Sequence, residues 1–492
     1  MTQEIKTSNL NYQKIKFGTD GWRAIIAEDF TFENVALVTA AIAKYLDTAY
    51  PKEKPVLLSF DPRFLADKFA LYAGEVLASF GRPVMIVDRD TPTPVIAHAA
   101  KDLNSAGALQ FTASHNPPEY CGIKYIPDYA GPANEAITKK IKEYVDELGK
   151  GGYSFETYSE SKKHHGSASA KVFSPKEAFI KDIKKLVNLD AIKKANLKIG
   201  VDSLCGAGRG YLQEFVDCKV LLGQERDPLF RGMLPEPIYK TLGGLISAIK
   251  EHKLDIGLSN DGDADRFAIL DSEGTLYSPN QILAILAKYL SETRGFKGSI
   301  VRTVATTHLL DKLAKKLGAG LIETPVGFKF IAEEMRRIDV IIGGEESGGL
   351  SILGHIPEKD GILACLLVCE TMAVSGKSLK QLWKEVIDFA GFEPFYNRLD
   401  LHLDNTTKER IVKELKEAPP KQLLGKQVIN CNLVDGVKLV FEDGSWLLVR
   451  PSGTEPLLRV YLEAASAAEL KNMESQAKKH FGVTEGALAG AH

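Results

Sequence analysis

Six consecutive residues, Asp261, Gly262, Asp263, Ala264, Asp265 and Arg266, set three carboxylates at alternate positions and close with a guanidinium. Alternation along an extended backbone puts all three acids on one side, where their mutual repulsion favours a cation among them. Oxygen donors at that density suit a small hard ion such as Mg²⁺. A calcium-binding helix-loop-helix would need Gly at the sixth place and Glu at the twelfth, where Arg266 and Ser272 stand. A solvated acidic turn is the plainer alternative for Asp-Gly pairs. Against it, the apolar run 256–258 leads straight into the loop, as the end of a buried strand does.

Other loops carry complementary chemistry. Ser114 sits in Thr112-Ala113-Ser114-His115-Asn116-Pro117 after an apolar strand, and Pro117 and Pro118 stop the strand from continuing. The serine hydroxyl is expected to be held out at an exposed loop. Phosphorylated, it would carry about −1.5 to −2 charges and become a further partner for a cation held by three aspartates. A Ser-His-Asp hydrolase triad fits less well, because the G-x-S-x-G elbow is missing and adjacent Ser114 and His115 diverge in an extended chain. The stretch Arg450-Pro451-Ser452-Gly453-Thr454-Glu455-Pro456 combines a bidentate anion donor with hydroxyls and a glycine that admits backbone amides, a combination suited to phosphate. Gly344-Glu345-Glu346-Ser347-Gly348-Gly349 sets carboxylates and a hydroxyl between glycines, suited to sugar hydroxyls, a metal or acid/base work. Each of these, taken alone, also reads as an ordinary polar turn. Gly206-Ala207-Gly208-Arg209-Gly210 resembles a dinucleotide loop, but Tyr211 occupies the place of its last glycine, so a plain strand-to-helix turn is expected. Phe17-Gly18-Thr19-Asp20-Gly21-Trp22-Arg23 is a turn-rich element ending in an arginine that either reaches a ligand or stabilises the fold.

The elements that must position these loops follow a repeated plan of apolar strand, helical stretch and second apolar strand ending in an unusual loop. The strand pairs begin at Val56 and Gly107 in the first segment, Leu197 and Asp255 in the second, and Ser299 and Val340 in the third. Strands alternating with helices imply βαβ units and largely parallel sheets, in which ligands sit beyond the strand C-termini. The stretch 149–166, rich in Gly, Ser and Lys, reads as a linker, and a second break falls at 274–279. From about Gly391 a smaller α+β unit follows, with a helix over 407–417 and strands near 437–441 and 446–449.

Composition bounds the possibilities. At 492 residues the chain exceeds one hydrophobic core. Its 62 basic and 64 acidic side chains nearly cancel, so no global field draws it to nucleic acid or anionic membrane. The start lacks an apolar signal core and the longest apolar run, 362–369, is too short to span a bilayer, so a soluble cytoplasmic protein is expected. Six cysteines without a C-x-x-C pair argue against a zinc module or a disulfide framework.

Together these motifs resemble the α-D-phosphohexomutase superfamily, the phosphoglucomutase/phosphomannomutase family, over nearly the whole chain and in the expected order. The resemblance implies three similar mixed α/β-sheet domains plus a C-terminal α+β domain, TATA-binding-protein-like, around a central cleft. It places a phosphoserine-loop domain at 1–155, a metal-binding-loop domain at 170–275, a sugar-recognition domain at 276–390 and a phosphate-binding domain at 391–492. By that similarity Ser114 is the phosphoserine, and Asp261, Asp263 and Asp265 bind Mg²⁺ together with its phosphate. Arg23, Lys124 and Arg266 match positions near the transferred group, with Lys124 and His115 handling the hydroxyl proton. Glu345 and Ser347 would bind ring hydroxyls, and Arg450, Ser452, Gly453 and Thr454 the standing phosphate. Mannose- and glucose-active subfamilies often carry G-E-x-S-G-H; here Gly348-Gly349 follows the serine, and Lys329 takes the place of a histidine in the preceding loop. That pattern is more similar to glucose-specific phosphoglucomutases. The implied activity is interconversion of hexose 1-phosphate and hexose 6-phosphate, most simply of glucose, with Mg²⁺ as cofactor and glucose 1,6-bisphosphate as intermediate and activator. Mannose or glucosamine phosphates are alternative substrates; a metal-dependent phosphatase or a non-catalytic phosphosugar-binding protein are more distant alternatives. The expected partners are small hexose phosphates, not nucleic acid or membrane, and the expected state is a monomer or homodimer.

Overall fold

A computed structural model describes residues 12–18, 21–164, 170–451 and 457–481. These fall into two compact units, one running to Tyr277 and including Gly349–Gly376, the other made of Ser278–Gly348 and the chain from Lys377 onward.

The first unit contains two sheets. Seven strands make the larger one, in the order Phe17–Gly18, Gly21–Ile25, Tyr120–Ile126, Ala108–Phe111, Val56–Phe60, Val84–Val87 and Ala170–Phe173. Val56–Phe60 reads Val-Leu-Leu-Ser-Phe and is buried along its whole length, as a central strand covered on both faces must be. It pairs in parallel with both neighbours. Tyr120–Ile126 then returns antiparallel to Ala108–Phe111, setting Lys124 opposite Gln110. Gly21–Ile25 adds antiparallel beyond it, with Arg23 opposite Gly122. Ser114, Lys124 and Arg23 thus come from three adjacent positions across one sheet.

In the second sheet, Ile256–Asn260 lies parallel to Ile199–Asp202 and antiparallel to Phe267–Asp271. The aspartate motif is therefore the turn of a hairpin. Alternating acids on an extended chain were expected, but six residues cannot reverse direction while extended. Ala264 takes φ 56°, the Ala264 N–H donates to the Asp261 carbonyl at 3.0 Å, and Asn260 Nδ2 donates to the Arg266 carbonyl at 2.9 Å. The stretch expected to be a linker carries a helix, Tyr158–His164. Thr157 and Glu160 form its start: Glu160 Oε2 accepts from the Thr157 N–H at 3.0 Å, and the Glu160 N–H reaches back to Thr157 Oγ1 at 3.4 Å. The 206–210 glycine stretch leads only into the single-turn helix Leu212–Glu214.

In the second unit Ser299–Thr303 pairs in parallel with Gly320–Thr324 and Val340–Gly344. The remaining sheet is antiparallel throughout, in the order Phe395–His402, Leu457–Ala464, Trp446–Pro451, Val437–Phe441, Lys426–Asn432 and Gln422–Leu423. Helices Asn405–Glu417 and Ala467–His480 belong to the same α+β domain. Trp446 and Tyr461 of this domain pack with Val304 and Ala305 of the preceding one. No single helix among the described residues is long and apolar enough to cross a membrane.

Candidate active site

Ser114 is only 1% exposed, contrary to the expected exposed hydroxyl. Its φ of 52° turns the chain out of the strand and aims the side chain inward, at a cost of about 1 to 3 kcal/mol for a non-glycine residue. Ser114 Oγ donates to Asp261 Oδ2 at 2.8 Å, and His115 Nδ1 lies 3.4 Å from the serine Oγ. The hydroxyl and the first aspartate are 147 positions apart in sequence yet in direct contact.

All three aspartates are fully buried, and their carboxylate oxygens lie within 4.8 Å of one another. Asp263 Oδ2 accepts from Lys124 Nζ at 2.7 Å and from Thr93 Oγ1 at 2.7 Å. Asp265 Oδ2 accepts from Lys124 at 3.1 Å and is 3.0 Å from Lys359 Nζ. Burial and the neighbouring charges of Asp263 and Asp265 raise the Asp261 pKa well above its ordinary value. Burial acts on Asp265 in the same direction, but Lys124, Lys359 and Arg266 outweigh it and hold that carboxyl well below the usual range. Partly buried His115 is driven well below its ordinary pKa by desolvation and the charges of Arg266, Arg23 and Lys359, so it is a neutral imidazole at pH 7.

The donor set fits a hard divalent cation. Three carboxylates converge there, and among the described residues the buried Oδ1 atoms of Asp263 and Asp265 have no hydrogen-bond partner. Buried oxygens of that kind are costly unless they are ligated.

Two arginines border the centre. Arg23 Nη1 donates to Asn116 Oδ1 at 2.7 Å, and Arg266 Nη1 lies 3.6 Å from Glu236 Oε1. Lys359 was not foreseen from sequence. Its stem passes over Gly349, where a Cβ would meet Lys359 Cδ at 2.3 Å, and Gly361 lies against the Arg266 carbonyl, 2.2 Å from where its own Cβ would be. The available signal was Glu358-Lys359-Asp360-Gly361, a helix start with Asp360 as its cap.

In the second unit Glu345 follows the buried strand Val340–Gly344. Its Oε1 accepts from the Gly327 N–H at 2.9 Å, and Ser347 Oγ lies 3.5 Å from its Oε2. This ties the Glu345 loop to the loop that delivers Lys329, which stands in the first turn of the helix Phe328–Met335. Asp435, also missed from sequence, joins the remaining piece: its Oδ2 accepts from Arg450 Nε at 2.7 Å and from the Val326 N–H at 3.0 Å. Arg459 stands directly opposite Arg450 across the sheet. Like charges so paired are unfavourable unless an anion lies near. Ser452, Gly453 and Thr454 lie outside the described residues.

Comparison with known proteins gives a consistent result. Family models for the phosphoglucomutase/phosphomannomutase alpha/beta/alpha domains I, II and III match residues 14–151, 177–274 and 278–389, and the model of the C-terminal domain matches 407–480. A phosphoglucomutase of Komagataeibacter xylinus is 30% identical, covering 95% of this chain and 90% of its own. A phosphoglucomutase/phosphomannomutase of Thermococcus kodakarensis is 32% identical over 92% and 94%. The crystal structure of a Thermus thermophilus protein, 33% identical, matches with a TM-score of 0.82 over 95% of this chain and 99% of that one. With all four family domains in order and such identity along nearly the full length, the chain belongs to the α-D-phosphohexomutase superfamily and is a phosphohexomutase, an isomerase of the phosphoglucomutase/phosphomannomutase family.

Proposed function

We propose that this enzyme interconverts α-D-glucose 1-phosphate and glucose 6-phosphate through phospho-Ser114 and glucose 1,6-bisphosphate. The observation that carries the reading is the 2.8 Å contact between Ser114 Oγ and Asp261 inside a buried carboxylate cluster flanked by two lysines. In the first transfer the bond from phosphorus to Ser114 Oγ breaks and a bond to the free sugar hydroxyl forms. Neutral His115 accepts the hydroxyl proton and passes it to the departing Ser114 Oγ, 3.4 Å from its Nδ1, so that the serine hydroxyl and the neutral imidazole are both restored, while the ammonium of Lys124 stabilises the equatorial oxygens. After the bisphosphate turns over, Ser114 Oγ takes the other phosphoryl group and its proton passes to the departing sugar oxygen, so atoms and charge balance over the cycle. Asp261, Asp263 and Asp265 would hold Mg²⁺, which neutralises charge on the moving phosphoryl group. Arg23 and Arg266 supply further positive charge. In the second unit Glu345, Ser347 and Lys329 would bind the ring, and Arg450 with Ser452, Gly453 and Thr454 the standing phosphate.

The glucose assignment is supported by the likeness of Gly348-Gly349 and Lys329 to the pattern of glucose-specific phosphoglucomutases. A Cβ at 349 would lie 2.3 Å from Lys359 Cδ, so a histidine there would require that lysine's stem to shift. The test is purified enzyme with Mg²⁺, trace hexose 1,6-bisphosphate and glucose, mannose or glucosamine 1-phosphate in turn, following hexose 6-phosphate and free phosphate. The highest kcat/KM is expected for glucose with little free phosphate. A preference for mannose or glucosamine phosphate overturns the substrate, and free phosphate as sole product overturns the mutase.

A further inference from the structure

Arg63 is a cation buried at the heart of the first unit, 0% exposed, and it touches neither the aspartates nor the lysines described above. All five of its side-chain N–H donors are used. Nε donates to Asp61 Oδ2 at 3.0 Å. Nη1 donates to the carbonyls of Pro117 and Tyr120 at 2.7 and 3.0 Å, and Nη2 to those of Ser114 and Asn116, both at 2.7 Å. Four carbonyls of the serine loop therefore converge on one planar guanidinium, whose other neighbour is the ring of Phe230 at 5.1 Å. Asp61 closes the circuit from the opposite direction. Its Oδ2 also accepts from Thr112 Oγ1 at 2.6 Å, and Thr112 Oγ1 accepts the Ser114 N–H at 2.8 Å. The peptide groups on both sides of Ser114 are thus held by one ion pair, the carbonyl through Arg63 and the amide through Thr112 and Asp61.

We propose that Arg63, with Asp61 and Thr112, is a positioning device that holds Ser114 in its left-handed conformation and so keeps Oγ aimed at Asp261. The inference rests on the assignment of Ser114 as the phosphoryl carrier. A left-handed serine relaxes toward negative φ unless its flanking peptides are fixed, and relaxation would rotate Oγ away from the aspartates. Five fixed donors of one rigid plane can oppose that rotation. Lysine cannot, because its three donors on a flexible stem do not reach four carbonyls and a carboxylate together.

The test compares Arg63→Lys, Thr112→Val, Thr112→Ser and Ser114→Ala with wild type, using the hexose 1-phosphate that turns over fastest. The readouts are melting temperature, kcat and KM, and the rate at which glucose 1,6-bisphosphate phosphorylates the protein by intact mass. Arg63→Lys should lower kcat on the order of 100-fold, as expected for a misplaced reacting group, with KM changed by less than about threefold because the sugar-binding loops are untouched. Phosphorylation by the bisphosphate should slow in proportion. Thr112→Val keeps shape and removes the hydroxyl, so it should show the same split, and Thr112→Ser should restore turnover; this pair decides the matter should Arg63→Lys not fold. Wild-type kcat in Thr112→Val, or in folded Arg63→Lys, overturns the positioning role. Should Ser114→Ala itself keep activity, the phosphoserine reading falls; a dead Ser114→Ala beside fully active Arg63 and Thr112 variants removes only the clamp.

Discussion

Lys359→Met isolates the contribution of one ammonium to the carboxylate cluster, since methionine fills most of the stem's path over Gly349 while removing the charge. Lys359 Nζ is 3.0 Å from Asp265 Oδ2, with side chains 5% and 0% exposed, so solvent screening earns little discount. Removing one partner of an isolated buried pair costs about 3 to 5 kcal/mol. Asp265 keeps Lys124 at 3.1 Å, and the loss should therefore shrink to that of one charged hydrogen bond, about 1.5 to 3 kcal/mol. The sign with pH follows from Asp265. Its carboxyl is depressed in the folded protein, so the stabilisation is complete above about pH 4, the ordinary aspartate value, and is lost as pH falls below it. The metal-free deficit of the variant should be full at pH 7 and narrow under acid. With Mg²⁺ the cation compensates the same carboxylates, and the deficit should nearly vanish. By linkage, a smaller deficit with metal than without means tighter Mg²⁺ binding, tenfold for each 1.4 kcal/mol or so. Chemical denaturation in chelator and in Mg²⁺, paired with calorimetric Mg²⁺ titration, reads both effects. An equal deficit with and without metal, or weaker Mg²⁺ binding in Lys359→Met, would refute the idea that lysine and cation share the aspartates.

Asp263→Asn keeps the side-chain shape but removes one of three ligand charges, so Mg²⁺ titration should weaken by at least about tenfold; an unchanged titration would discount Asp263 as a ligand. Gly262→Ala would place a Cβ 2.6 Å from the Ser114 carbonyl and 3.2 Å from Pro235 Cβ. The overpacking should cost about 1 to 3 kcal/mol and reduce kcat more than it raises KM, a split that steady-state kinetics with a thermal melt can verify. Asp435→Ala strips Arg450 of its 2.7 Å partner and Val326 of its acceptor, and should raise KM about tenfold or more for a lost charged hydrogen bond while leaving kcat near wild type. Asp435→Asn, which keeps an acceptor, should lose less; identical KM values in all three proteins would remove Asp435 from the phosphate-binding apparatus.

The residues that the structure brings together at Ser114 and the three aspartates were legible in the sequence because they sit in short contiguous loops, each following an apolar strand whose end the letters mark. Thus 261–266 after Ile256–Asn260 and 112–117 after Ala108–Phe111 announced both donor type and location. What sequence reasoning missed acts across distance. Lys359 reaches Asp265 from 94 positions away, and Asp435 reaches Val326 from 109; no local periodicity encodes such contacts. The conformation of the loops was misjudged for a related reason. Alternating acids suggest an extended chain only while the backbone's own hydrogen bonds are ignored, whereas a six-residue reversal demands a left-handed residue, which Ala264 supplies. The serine hydroxyl, expected to be exposed, is instead buried, and this has a chemical consequence. A phosphoserine reached freely by water would pass its phosphoryl group to water as readily as to a sugar. A hydroxyl 1% exposed, whose flanking peptides are both held in place, is accessible to a nucleophile only when that nucleophile is itself delivered and oriented. Burial of Ser114 therefore favours a mutase over a phosphatase on physical grounds, and raising its exposure should raise the ratio of free phosphate to hexose 6-phosphate. Pro117→Gly, which loosens the loop while keeping the carbonyl that accepts from Arg63 Nη1, should shift that ratio toward free phosphate; an unchanged ratio alongside a measurable rise in amide exchange over 114–120 would show that burial is not what excludes water.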